Sequence, residues 1–256
     1  YGREKLLNGR PLNELLDAVK IAEEINYIGM AGVIYSNIGG VFNAQKDYKS
    51  SINYYHKSIE HLRKYNRIHN LKLAYMNIGS NYFDQKMFDS AMVYFNKTLS
   101  FVDKNNYDLS DASLFLNFSA IQYEKKNIDS ALYYNDKAEI IIEKENSDYY
   151  RTSLYIDKGT YLWTKNKSPE AITYLKKAIE LSRNIGYRQK LKSAYFSISE
   201  IYEEQGNLRD ALNYYKLFFA EHDSILNDEK NKQVKLLEAR FRNEKNEKQI
   251  QVQQKE

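Results

Sequence analysis

The chain of 256 residues has no cysteine, only two prolines and only ten glycines. Without cysteine there can be no disulfide and no thiolate metal site. Too little Pro and Gly is present to punctuate an all-β sandwich or a Rossmann sheet, which leaves an all-helical chain. Charge of one sign is also missing. The 38 basic and 34 acidic residues are interspersed and leave a net charge of +4. No basic stripe results that would hold nucleic-acid phosphates. No apolar run approaches the roughly 18 residues of a membrane span. The opening YGREKLLNGRPLNELL has neither an initiator Met nor a signal-peptide apolar region, so the chain reads as a piece of a longer protein.

Catalytic signatures are equally scarce. There is no HExxH, GxGxxG, phosphate-loop GK[ST] or nucleophile elbow. The four histidines are His56, His61, His69 and His222. The first two are five apart, off the i, i+4 spacing of a helical metal pair, and all four read as solvated surface residues. The expectation is a protein that is not an enzyme and carries no metal or cofactor.

Tyrosine is abundant, with 24 residues, and its spacing explains the excess. Tyr54, Tyr94, Tyr134, Tyr174 and Tyr214 recur every 40 residues. Three positions before each is a small residue: Ser51, Ala91, Ala131, Ala171 and Ala211. Nineteen positions before each is another aromatic: Tyr35, Tyr75, Phe115, Tyr155 and Tyr195. Four positions after these come Gly39, Gly79, Ser119, Gly159 and Ser199. Within one unit, Tyr35, Ile38 and Phe42 follow helical spacing, as do Ile52, Tyr55 and Ile59. Each unit is therefore two amphipathic helices whose crossing needs small residues near 39 and 51. Asp47, Asn127, Ser168 and Asn207 stand where a second helix needs its N-cap, and the turn before Phe88 has no such residue. The doublet Tyr54-Tyr55 is packing on this reading.

These registers resemble the tetratricopeptide repeat, best in YSNIGGVF…DYKSSINYY, YMNIGSNYF…FDSAMVYF and YFSISEIYEEQGNLRDALNYY. The resemblance implies a right-handed α-solenoid, with residues 1–28 a partial repeat, 29–226 five repeats of about 40 residues, and 227–256 a charged helix serving as cap or linker. Units longer than the family's usual ~34 residues imply longer second helices and loops. In this family the concave groove, lined by the first helix of each unit, takes peptides. On that basis Asn37, Asn77, Asn117, Asp157 and Ser197 form a polar ladder for a peptide backbone. Asn43, Phe83, Tyr123, Trp163 and Glu203 follow six residues on, three of them aromatic enough to make a shelf for ligand side chains. Glu200, Glu203 and Glu204 make the far end acidic. The implied role is a non-catalytic binding module, the sensor or scaffold part of a bacterial signalling regulator. Its partner would be a peptide or protein segment, with no nucleic acid bound by this piece. Resemblance to membrane-anchored regulators further implies a periplasmic location and a membrane span beyond these residues, with a cytoplasmic location as the alternative. A second reading is a structural module that homodimerises through its C-terminal helix.

Overall fold

The computed structural model describes residues 12–253. These form eleven helices and no strand: α1 Leu12–Glu24, α2 Ile28–Ala44, α3 Tyr48–Lys64, α4 Ile68–Asp84, α5 Phe88–Leu99, α6 Leu109–Glu124, α7 Ile128–Lys144, α8 Asp148–Thr164, α9 Ser168–Asn184, α10 Arg188–Glu204 and α11 Leu208–Gln253. Successive helices pack as hairpins, α2 on α3 through α10 on α11, with α1 against α2. The architecture is an all-α solenoid. First helices of neighbouring units also touch one another, whereas second helices make no comparable contact. The array therefore curves with α2, α4, α6, α8 and α10 on its inner side.

The period of 40 is two identical half-periods. Apart from α5 and α6, every helix from α2 to α10 has 17 residues and is followed by a turn of three. At the centre of each turn the backbone is left-handed: Asn26, Lys46, Asn66, Lys86, Lys126, Asn146, Asn166, Gly186 and Gly206. The turns close by the two reverse bonds of a Schellman motif, as where Lys46 N donates to Asn43 O at 2.8 Å and Asp47 N to Phe42 O at 3.0 Å. Asn and Gly suit that conformation. The lysines do not, and the paired bonds hold them there. The extra length over a standard repeat thus lies equally in both helices, not in longer second helices and loops.

Capping follows the sequence only in part. Asp47 accepts from Ser50 N at 3.1 Å, and Asn207 accepts from Asp210 N at 3.4 Å. Asn127 makes no capping bond, its amide going instead to Gln122. Ser168 is already helical, with Lys167 at the cap and Pro169 in the first turn, where its missing N–H costs nothing. The largest departure from regularity is the link from α5 to α6. There α5 stops after 12 residues, and Asp108 caps α6 in a reciprocal box with Asp111. Lys72 Nζ, buried on α4, reaches Asp111 at 2.9 Å and Asp108 at 3.0 Å. At the other end α11 runs through residue 227 without a break, so the array and the charged helix are one continuous element.

The repeated tyrosine lies between two first-helix aromatics. Tyr54 stacks on Phe42 at 5.3 Å and tilts against Tyr35 at 6.2 Å. Tyr94 does the same with Tyr82 and Tyr75, and Tyr134 with Phe118 and Phe115. Lys57 lies over the Tyr35 and Tyr54 rings, Lys97 over Tyr75 and Tyr94, and Lys177 over Tyr155 and Tyr174, at 4.6–5.9 Å from the centroids. The next residue goes deeper: Tyr55, Phe95, Asn135 and Leu175 are all buried. They cross the small positions of the first helix, and Ser51 Oγ ties the crossing by donating to Gly39 O at 2.8 Å. In the third unit the donor changes sides, Ser119 Oγ donating to Ala131 O at 2.7 Å. His61 is not a free surface residue as expected. Its ring packs on Tyr35 at 5.1 Å, with Nε2 3.4 Å from Glu23.

Candidate functional site: the groove along the first helices

Helices α2 and α4 enclose a cavity of about 310 Å³ on the inner face. A floor of Val33, Val41 and Leu73 is rimmed by Asn37, Asn43, Asn70, Asn77 and Asn81. The helical register explains the lining: positions 33, 37, 40, 41 and 44 form one stripe of α2, and 70, 73, 77 and 81 one stripe of α4. Such a site offers apolar burial with carboxamides that can both donate and accept.

One carboxamide is oriented by the core. Asn81 is fully buried, and its Nδ2 donates to Ser51 Oγ at 2.7 Å, which in turn donates to Gly39 O. Its Oδ1 is thereby turned toward the groove, where Asn43 Nδ2 donates to it. Asn43 is left presenting its oxygen. Asn81 was not among the residues singled out in the sequence. A signal was there: its register is otherwise Val41, Ile121, Tyr161 and Ile201, so a carboxamide breaks an apolar or aromatic series.

Of the ladder, Asn37 is exposed, while Asn77, Asn117, Asp157 and Ser197 are half-buried. Asn37, Asn43 and Asn77 share the cavity; Asn117, Asp157 and Ser197 lie further along, on α6, α8 and α10. Burial pushes the Asp157 carboxyl up to about 6, with only Lys190 acting against it. Burial also raises Glu200, helped by Glu204 and Glu203.

The second series runs from Asn43 to Glu203, and its three rings are half-buried. Phe83 packs on Phe88 at 5.6 Å, within its own unit. Tyr123 tilts against Tyr161 of the next unit at 4.9 Å. Trp163 Nε1 donates to Glu204 Oε2 at 2.6 Å, again across a unit boundary. Glu203 is exposed. Asn43, Tyr123 and Trp163 thus each bond or stack to the following unit, at Asn81, Tyr161 and Glu204. Among the described residues no cluster of three or more His, Asp or Glu could hold a metal ion. Among the described residues no helix is long and apolar enough to cross a membrane.

Repeated helical hairpins with a groove along the first helices define an α-solenoid. Profiles of the tetratricopeptide repeat match residues 31–104 in one form and 152–185 and 193–218 in another, together just over half of the chain. The chain belongs to the tetratricopeptide repeat family. No curated protein sequence matches it. Its fold is similar to that of BtubC from P. vanneervenii, with a TM-score of 0.71 at 13% identity over 88% of this chain and 92% of that one. RapI in its apo form gives 0.67 at 20% identity, covering 84% and 77%. The Rap conjugation gene regulator of plasmid pLS20, in complex with the Phr* peptide, gives 0.64 at 17% identity, covering 84% and 69%. At these identities the likeness is one of fold.

Proposed function

We propose that the chain is a non-catalytic module that binds a peptide or protein segment along its first helices. The observation that carries this reading is the cavity between α2 and α4, where an apolar floor is rimmed by Asn37, Asn43 and Asn77. Carboxamides along an extended ligand pair with backbone N–H and C=O, so affinity does not depend on one side-chain sequence. The pLS20 regulator, solved with a peptide bound, supports the reading. The same comparison supports a finer one, in which the module is the sensor or scaffold part of a larger signalling regulator. A periplasmic location for this module is part of the proposal and rests only on the resemblance of its sequence to the repeat regions of membrane-anchored regulators, with a cytoplasmic location as the alternative.

Selection of a displayed random-peptide library on the whole protein tests it. Enriched peptides synthesised singly are expected to bind with micromolar affinity. Asn37→Ala together with Asn77→Ala should weaken them about tenfold or more. Tyr133→Ala, at an exposed ring on a second helix, should leave them unchanged. Peptides that bind the double variant as well as the parent would move the site off this groove.

A further inference from the structure

The last helix of the array has an uncovered face. In the first unit Tyr55, Ile59 and Leu62 of the second helix are buried against Leu71, Ala74, Tyr75 and Ile78 of the next first helix. In the fourth unit Leu175 and Ile179 are buried in the same way against Leu191 and Ala194. On α11 the same register reads Tyr215, Phe219 and His222. Yet α11 packs on α10 and makes no comparable contact with any other helix. Tyr215 and Phe219 are 41% and 45% exposed, where their counterparts Tyr55 and Ile59 are 3% and 5%.

The open register is the middle of a longer stripe. Leu208, Leu212, Tyr215, Phe219, His222 and Leu226 alternate four and three residues apart, and the four outside the His and Tyr are 41–67% exposed. Leu226 occupies the position that holds the left-handed turn residue in other units, Asn66, Asn146 and Gly186. The chain does not turn there, because α11 is one helix of 46 residues. Nothing within the described residues can therefore fold back as a next first helix. A spacing that averages 3.5 residues is what two equivalent helices bury knob-into-hole. The stripe spans about 27 Å of helix at 1.5 Å per residue.

We infer that the Leu208–Leu226 face of α11 is a homodimer seam, covered by the same face of a second copy of this chain. Each copy would bury a patch on the order of 500 Å², in the range of the largest, often functional, patch of a monomer and, doubled, near the lower bound of a specific interface. A two-fold axis makes the contact self-complementary. It covers, between chains, the register that each preceding second helix buries against the unit after it. This seam lies within the fifth repeat, apart from the charged residues 227–256 that the sequence reading invoked for dimerisation, and it does not depend on the groove binding a peptide.

Sedimentation equilibrium of the whole protein over micromolar concentrations tests it. The parent is expected to be a dimer. Leu212→Glu with Phe219→Glu should weaken the dimer about 100-fold or more. Both side chains are about half exposed, so far-UV circular dichroism should show helicity kept. Should the double variant lose its fold, Leu226→Glu alone carries the test, with weakening of about tenfold expected. A parent that stays monomeric at every concentration overturns the inference. So does a folded variant that dimerises as tightly as the parent.

Discussion

Adding one methyl group at the helix crossings should discriminate between units in an order set by what faces each glycine. A Cβ built on Gly79 would lie 2.5 Å from the Phe95 ring, a separation no real Cβ tolerates. On Gly159 it would lie 2.7 Å from Leu175 Cγ and 3.2 Å from the Ala171 carbonyl, and on Gly39 3.0 Å from the Tyr55 ring. Alanine in place of a mid-helix glycine stabilises by about 1 kcal/mol. Overpacking a filled core costs about 1 to 3 kcal/mol. Phe95 is fully buried and meets Phe118 edge-on at 6.0 Å, so its ring cannot retreat and the cost at Gly79 should reach the upper part of that range. Gly79→Ala is thus expected to destabilise by about 1 to 2 kcal/mol, Gly159→Ala by somewhat less, and Gly39→Ala to be near neutral. Urea unfolding followed by circular dichroism measures the order through the midpoint. The third unit supplies an internal control, because Ser119 already has a Cβ there and faces the smaller Asn135. Combining Gly79→Ala with Phe95→Leu should accordingly cost about 1 kcal/mol less than the two changes separately. A stabilising Gly79→Ala, or a strictly additive pair, would mean that the crossing is not set by this contact.

Two further expectations concern buried charge. Lys72→Met leaves Asp111 buried without its cation and should destabilise by about 2 to 3 kcal/mol, measured by the same unfolding assay. Burial pushes the Asp108 carboxyl up, but the bonds from Ser110, Lys72 and the Asp111 backbone outweigh it and pull the group down to about 2. A depressed carboxyl stabilises the folded state above its unfolded value of about 3.9, and that contribution is lost as pH falls toward 2. The parent should lose stability over this window more steeply than Lys72→Met. Asp157 has the opposite sign. Its carboxyl is raised to about 6, so the folded state holds the proton more tightly and stability falls as pH rises from about 4 to about 6. Asp157→Asn should raise the unfolding free energy at pH 7 by about 1 to 2 kcal/mol, and leave it unchanged at pH 4. Equal effects at both pH values would place the carboxyl in open solvent.

What could be read in the sequence and what could not follow from the range of the forces involved. The hairpin array was legible because its crossing repeats: a glycine or serine on each first helix, and a tyrosine on each second helix beside a first-helix ring nineteen residues earlier, recur at fixed spacing in every unit. Residues 11 to 27 lie four periods before Ala171–Tyr187, with Ala18 and Ile25 in the register of Ala178 and Ile185, and α1 occupies Leu12–Glu24. Caps were less legible because the three-residue turn is fixed by Schellman bonds to the carbonyls of the preceding helix, whatever side chain stands before the next one. A cap side chain is then optional, and Asn127 spends its amide on Gln122 instead. The α5–α6 link escaped because its determinant is non-local. Lys72 and Asp108 are 36 residues apart, and nothing in the local sequence of either announces the pair. The groove had the same difficulty in a sharper form. Asn37, Asn77 and Asn117 look equivalent in the repeat register, yet Asn37 and Asn77 share one cavity with Asn43, while Asn117 lies outside it. The difference comes from Asn81, the carboxamide in an otherwise apolar or aromatic register, which ties the second unit to Ser51 of the first and turns Asn43 to face the groove. Repetition made the scaffold predictable, and the departures from repetition are what set this part of its inner surface apart from the rest.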